Sequence, residues 1–534
     1  MCRPILPACL WALILTLPAV CSAQAPPDAT GACNDTVEVD RFRLLRQLTL
    51  DLWGRAPSEG ELRTLVSGEV DEARVDTMLA SNEFDRFVER HHADLLWPSV
   101  NGLDFVPIAG LLLPTAQYGD GGDGNRLFNI FIALYQRREL YAACKDEPAV
   151  FDEDGEPVFE DMVDGTRREG YVFVEPYWAP GTQIKVCAAE ASVRPTNEYG
   201  DGCATFQGMY SGQCGCGPNL EHCADLSVAQ TLLPMLREQL MRMVRGPIDG
   251  NRPYTEVLTT VEEELNGPLA HYYRHLAPLA IDPIVLVPPV APAELADLPY
   301  TDFAWRTFRR TPELHSGVLT SLAYMLRFQT ARARANRYYN AFLCEPFQAP
   351  VEGLPSPNDE CSQEPNLSER CGCNYCHSKL EPAAAHWGRF AEAGTLYLDP
   401  QVYPVFDSRC AACAENPQRE CGFICDRFYV TDIGHPKEAQ YAGVLKAYEW
   451  RTREQIARME LGPKVLVEDA ITDGRLASCS TVQLFRRLYK REPTEAEVNG
   501  ELLELSRAFQ AGGFNFKSLV KSLVQSPGYR RLVR

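Results

Sequence analysis

Apolar residues recur at three- and four-residue spacing from Leu226 to about Tyr273, through Met235, Leu236, Leu240, Met241 and Val244 and then Val257, Val261 and Leu265. That period predicts a helical segment over 227–280 with one buried face. A second pattern is shared by the two ends. Leu48–Trp53 leads into Arg55-Ala56-Pro57-Ser58-Glu59-Gly60-Glu61, and Phe485–Tyr489 leads into Arg491-Glu492-Pro493-Thr494-Glu495-Ala496-Glu497. In each copy the proline stops the preceding helix, and Ser58 with Glu61, or Thr494 with Glu497, has the spacing of a capping box. A further match aligns Val75–Val88 with Val520–Val533, placing Ser81 against Ser526, Phe84 against Tyr529, Arg86 against Arg531 and Val88 against Val533. Each serine is expected to cap another helix, with Pro527 at its first position. Two matches in the same order predict a duplicated three-helix unit, one copy at 33–100 and the other at 479–534.

The texture between the ends differs. Residues 101–226 are rich in Gly, Pro, Asp and aromatics and hold cysteines at 144, 187, 203, 214, 216 and 223. They read as a loop-rich, disulfide-stapled region with short strands such as Tyr171–Val174. Five prolines within 281–300 make 281–312 a stiff linker. The remaining segment, 313–478, includes an expected helix over Tyr448–Leu461. The fold class predicted is mainly α, with helical ends around a stapled middle.

The cysteines need an oxidising compartment, and the first residues supply a route to one. Arg3, an apolar run from Ile5 to Val20 and then Cys21-Ser22-Ala23 form a secretory signal over 1–23. A lipid anchor at Cys21 is disfavoured by Pro18 and Val20. No second apolar span follows, so the mature chain is expected to be exported, periplasmic or at the cell surface, without a transmembrane span. Cleavage removes Cys2, Cys9 and Cys21 from the 20 cysteines and leaves 17, an odd number, so one cannot pair within the chain. The formal charge of −20 carries no Lys/Arg tract and excludes nucleic acid as a partner. It suits a basic electron-transfer partner, although solubility is the simpler reading.

The candidate chemistry sits at Cys373-Asn374-Tyr375-Cys376-His377. C-x-x-C-H is the spacing that attaches a c-type haem: two thiols reach the two vinyl groups of one porphyrin, and the adjoining imidazole reaches the iron. From this composition the pattern is expected by chance about once in a hundred such chains. Cys373 and Cys376 are therefore the candidate covalent sites for one haem and His377 the proximal iron ligand. Cys410-Ala411-Ala412-Cys413 has the thiol spacing but is followed by Ala414, and reads as non-haem. With Cys421 and Cys425 it forms a cluster for zinc or for disulfides, and export favours disulfides. His315, Met325 and Met459 are the candidates for the distal iron ligand, while His386 is expected to stay near the proximal side. His271 and His275 lie one turn apart, but no third ligand is near them in sequence, and they read as ordinary histidines. Asp120 and Asp123, and the run Asp152, Asp154, Glu156, lack the EF-hand offsets and read as solvated loops.

Several stretches together resemble the planctomycete-type cytochromes, an exported multi-domain family with uncharacterised helical domains. Leu48–Ser58, with Phe84, His91 and Asp94, looks like the family's N-terminal helical domain. Leu265–Tyr272 is similar to its N-x-x-L-A-x-x-Y segment, and His315–Thr320 to its H-x-G-[IV]-L-T segment. Cys373–His377, Glu381-Pro382 and Trp387–Phe390 look like its haem loop, and the C-terminal copy is similar to its closing domain. The Cys-rich insert at 187–223 and the cluster at 410–425 depart from that pattern. The resemblance implies an exported monohaem c-type cytochrome carrying electrons in a periplasmic or cell-surface redox system. Two alternatives remain open on sequence: a haem enzyme with an open iron site, peroxidase-like or a dehydrogenase subunit, and a non-haem binding protein in which Cys373 and Cys376 pair with each other or with Cys371.

Overall fold

A computed structural model describes residues 36–99, 116–118, 127–129, 144–279 and 298–533, apart from 146, 164, 166, 206–207, 209–213, 225, 311–314, 348–352, 354, 393–396 and 417–420. The expected signal at 1–23, Cys21, Asp120, Asp123 and the prolines at 283–292 lie outside the described residues. The described chain is mainly α-helical, with strands of two to four residues paired in twos. No helix among the described residues is long and apolar enough to cross a membrane. The chain divides into two compact units. One takes the residues up to Phe87 with Leu484–Thr494 and Lys517 onward; the other takes Val88–Gln483 with Glu495–Phe516.

The first unit is built from the two ends. Asp40 accepts hydrogen bonds from the amides of Phe42 and Arg43 and starts the helix Arg41–Leu48, which widens into a π-turn over Thr49–Trp53 and stops at Gly54, φ 72°. Ser58 and Glu61 form the expected capping box at Glu59–Thr64. The repeated arginine shows why the copies share it. Arg55 lies 4.7 Å over the Trp53 ring and Arg491 lies 5.7 Å over Tyr489, the residue two before it in each case. Arg55 also bonds Glu61 at 2.8 Å and Glu83 at 2.7 Å, and its hydrogen bond holds the Glu61 carboxyl down at about 2. Across the unit, Tyr529 donates to Asp51 at 2.7 Å and Lys521 pairs with Asp76 at 2.8 Å. Thr36–Glu38 runs antiparallel to Arg531–Val533.

The serine caps do not form as expected. Ser81 Oγ donates back to the Met78 carbonyl at 2.7 Å, and the helix after it begins only at Asp85. Ser526 receives the Tyr529 amide at 3.4 Å inside a turn, and the chain leaves that turn as a strand. The third helix is thus present in the first copy, as Asp85–Leu96, and replaced by a strand in the second. Thr36–Glu38 offers Arg531–Val533 ready backbone partners, so the chain there joins a ladder instead of a helix.

In the second unit all six cysteines of the middle region pair among themselves, as Cys144–Cys187, Cys203–Cys214 and Cys216–Cys223. The expected strand Tyr171–Val174 forms a hairpin with Ile184–Cys187. Asp152 accepts the amides of Asp154 and Glu156, so that acidic run closes a turn on itself. The helical segment expected over 227–280 is interrupted. Leu226–Asp249 is a helix, but Glu262–Leu265 is a strand paired with Arg306–Arg309, inside the expected linker. Within that pairing Glu263 meets Arg310 in the interior, so the strand carries a paired charge on its inward face.

Four further disulfides, Cys344–Cys479, Cys361–Cys371, Cys410–Cys425 and Cys413–Cys421, staple the C-terminal part of this unit, so the cluster at 410–425 is disulfide-bonded. The helix expected over Tyr448–Leu461 starts later, at Arg453, because Thr452 with Gln455 forms the capping box. Arg334, fully buried, donates to the carbonyls of Phe328, Phe390 and Ala391 and ties the helix Ala331–Tyr338 to the chain beyond Asn374–Ala385.

Candidate functional site

The pentapeptide opens the helix Asn374–Ala385. Cys361–Cys371 closes the loop before it, Gly372 takes φ 75°, and the amides of Cys373 and Asn374 both reach the Arg370 carbonyl. Glycine suits that left-handed turn, from which the chain enters the helix directly. The amides of Cys376 and His377 then bond the Cys373 carbonyl at 3.1 and 3.0 Å. Both sulfurs and the imidazole therefore belong to one helical turn. Cys373 and Cys376 are partly exposed and lie outside the disulfides, which take every other described cysteine. Cys371 is bonded to Cys361, so the pairing with Cys371 weighed on sequence does not form.

Helical geometry adds a group that sequence reasoning left without a role. Glu381 lies four residues beyond His377, on the same helix face, and accepts from its Nδ1 at 2.6 Å. With the proton on Nδ1, the other ring nitrogen presents its lone pair outward. Glu381 is itself held by Arg332 at 2.6 Å and Arg451 at 3.1 Å, with its side chain 5% exposed. Burial works to raise its pKa, but the Arg332 bond and charge, the His377 bond and the Arg451 charge outweigh it, and the net shift is downward. The carboxylate thus stays ionised beside the histidine. His377 is 22% exposed. Arg332 and Arg451 also line a cavity of about 810 Å³ that continues along the helix past Ala384, Ala385 and Gly388.

His315, Met325 and Met459 are all fully buried. His315 Nδ1 lies 2.6 Å from Thr320 Oγ1, and burial beside Arg310 keeps this imidazole neutral. Met459 belongs to a core cluster with Tyr429, Leu445 and Tyr448, and its methyl lies where a side chain on Gly388 would go. Gly388 stands eleven residues beyond His377, on the order of 15 Å along a helix. Thr320, the hydroxyl partner of His315, adjoins Leu319, whose carbonyl accepts from Trp387 at 3.1 Å, at that same far end. His315 and Met459 therefore each have a packing or hydrogen-bonding partner of their own beyond this helix. Met325 packs inside the helix Leu322–Arg327. His386 closes the helix and bonds the Gly462 carbonyl at 3.0 Å.

Chemically, the first helical turn supplies two soft nucleophilic sulfurs and a nitrogen donor whose far side is fixed by a carboxylate, a carboxylate–histidine arrangement typical of metal ligands. By their chemistry these residues could hold a thioether-linked haem, with Cys373 and Cys376 as its covalent anchors and His377 as a nitrogen donor. Comparison with protein families, with curated proteins and with solved structures finds no match.

Proposed function

We propose that this chain is an exported c-type cytochrome that carries electrons through a single haem, bonded to Cys373 and Cys376 and ligated by His377. The observation that carries the reading is the His377–Glu381 bond within C-x-x-C-H, which orients the imidazole for a metal. The resemblance to planctomycete-type cytochromes and the fourteen cysteines held in disulfides, which need an oxidising space, support it. When bound, the haem supplies the one-electron chemistry. The chain's own residues anchor it, fix the ring of His377 through Glu381, and leave this edge partly exposed for contact with a redox partner. The acidic charge of −20 suits a basic partner.

The test is an absorption spectrum and a denatured intact mass, taken on protein matured with haem-ligation machinery. A Soret band and one porphyrin retained after denaturation are expected. A colourless product, or Cys373 bonded to Cys376, would overturn the assignment.

A further inference from the structure

The middle region brings together a second donor set that no stretch of sequence contains. Glu221 and His222 sit in the loop closed by Cys216–Cys223, and His275 comes from the π-turn Tyr272–Leu276, more than fifty residues later. One ligand atom from each of the three lies within 4.8 Å of the others. His222 Nε2 is 3.6 Å from one Glu221 oxygen, and His275 Nδ1 is 3.7 Å from the other. Donors around a tetrahedral zinc ion at ~2.0–2.1 Å stand about 3.4 Å apart, so each imidazole is already near one Glu221 oxygen, and gathering one donor from each residue takes a closure of at most about 1.4 Å.

The loop is shaped to hold this arrangement. Gly217 has φ 73°, and a Cβ there would lie 2.7 Å from His222 Cδ2, so glycine lets the ring rest against the backbone. Asn219 and Leu220 also take left-handed conformations, φ 52° and 61°. His222 is 7% exposed, and its buried Nδ1 makes no hydrogen bond. A ring that ligates through Nε2 carries its proton on Nδ1, the buried atom that has no partner here. His271 bonds the Glu221 carbonyl at 3.1 Å, and its ring lies 4.7 Å from that of His275, steadying both chain segments. Glu221 and His275 line a cavity of about 170 Å³ with Tyr177, Arg274 and Tyr300.

We propose that Glu221, His222 and His275 bind a zinc-class divalent ion, with water in the fourth position on the side of that cavity. Two imidazoles and one carboxylate are a known zinc ligand set that leaves a position open. The site is separate from the pentapeptide and does not depend on the haem reading, because a chelator strips a coordinated ion and leaves a thioether-linked porphyrin in place.

The experiment uses the purified full chain, treated with a strong chelator and titrated with Zn²⁺ by calorimetry, with metal content read by elemental mass spectrometry. One zinc per chain is expected. His275→Gln alone, at a partly exposed position, and His222→Gln with His275→Gln should each weaken binding at least tenfold, while His435→Gln leaves it unchanged. Near-ultraviolet circular dichroism checks that each variant keeps its fold. Absence of stoichiometric zinc in the unmutated chain, or equal affinity in well-folded His275→Gln, overturns the proposal.

Discussion

Replacing Cys344 and Cys479 together with alanine removes the longest-range staple in the second unit, with 135 residues between the partners. Cys361–Cys371 and Cys410–Cys425 lie inside that span and shorten its effective length, by 10 and 15 residues, to about 110. Closing a loop of about 110 residues removes on the order of 16 cal/mol/K from the unfolded chain, or about 5 kcal/mol at 25 °C. The same relation gives about 2.7 kcal/mol for the ten-residue Cys361–Cys371 loop. For a unit of roughly 400 residues, with an unfolding entropy of about 2.1 cal/mol/K per residue, these losses correspond to about 6 °C and 3 °C in melting temperature. Calorimetry at one scan rate on the two double-alanine variants and the unmutated chain measures both. An equal loss, or a larger loss from the short loop, would refute the argument that chain entropy decides the ranking.

Two further outcomes concern the site and its surroundings. Glu381→Gln keeps a hydrogen-bond acceptor beside His377 but removes the negative charge that favours oxidised iron, so on the haem reading the midpoint potential rises by on the order of 60 mV, a tenfold shift in a one-electron equilibrium. Spectroelectrochemistry reads it, and an unchanged or lower potential removes the role assigned to Glu381. His92 is fully buried between the Val88 carbonyl and the Tyr254 hydroxyl, and burial pushes its pKa down to about 4. As pH falls below about 6.5 the unfolded chain takes up a proton that the folded chain refuses until about 4, so stability is full above that window and drops by up to about 3 kcal/mol across it. Urea unfolding of His92→Gln between pH 4 and 7 should show a flatter acid limb than the unmutated chain; parallel limbs would count against burial as the cause.

The features legible in the sequence were local ones. Ser58 and Glu61 are three residues apart, and their capping box needs nothing beyond its own turn. The six middle cysteines pair within their region, and Cys410 to Cys425 within theirs, because short loops close cheaply. Glu381 was also within reach of sequence reasoning, since a carboxylate four residues after a histidine shares its helix face. The rest depended on distant partners. Glu262–Leu265 reads as part of a helical segment until its pairing with Arg306–Arg309 is seen, and His275 lacks companions until the Cys216–Cys223 loop brings Glu221 and His222 to it. Ser526 has the spacing of a cap, but the strand Thr36–Glu38, some 490 residues earlier, draws the chain beyond it into a ladder instead of a helix.

That same pairing governs the order in which the molecule can be completed. A ribosome delivers Thr36–Glu38 first and Arg531–Val533 only after the whole of Val88–Gln483. Asp51 likewise waits for Tyr529, and Asp76 for Lys521. The early helices therefore remain half a fold until Arg531–Val533 has been made, while the larger unit can already be closing its own bridges.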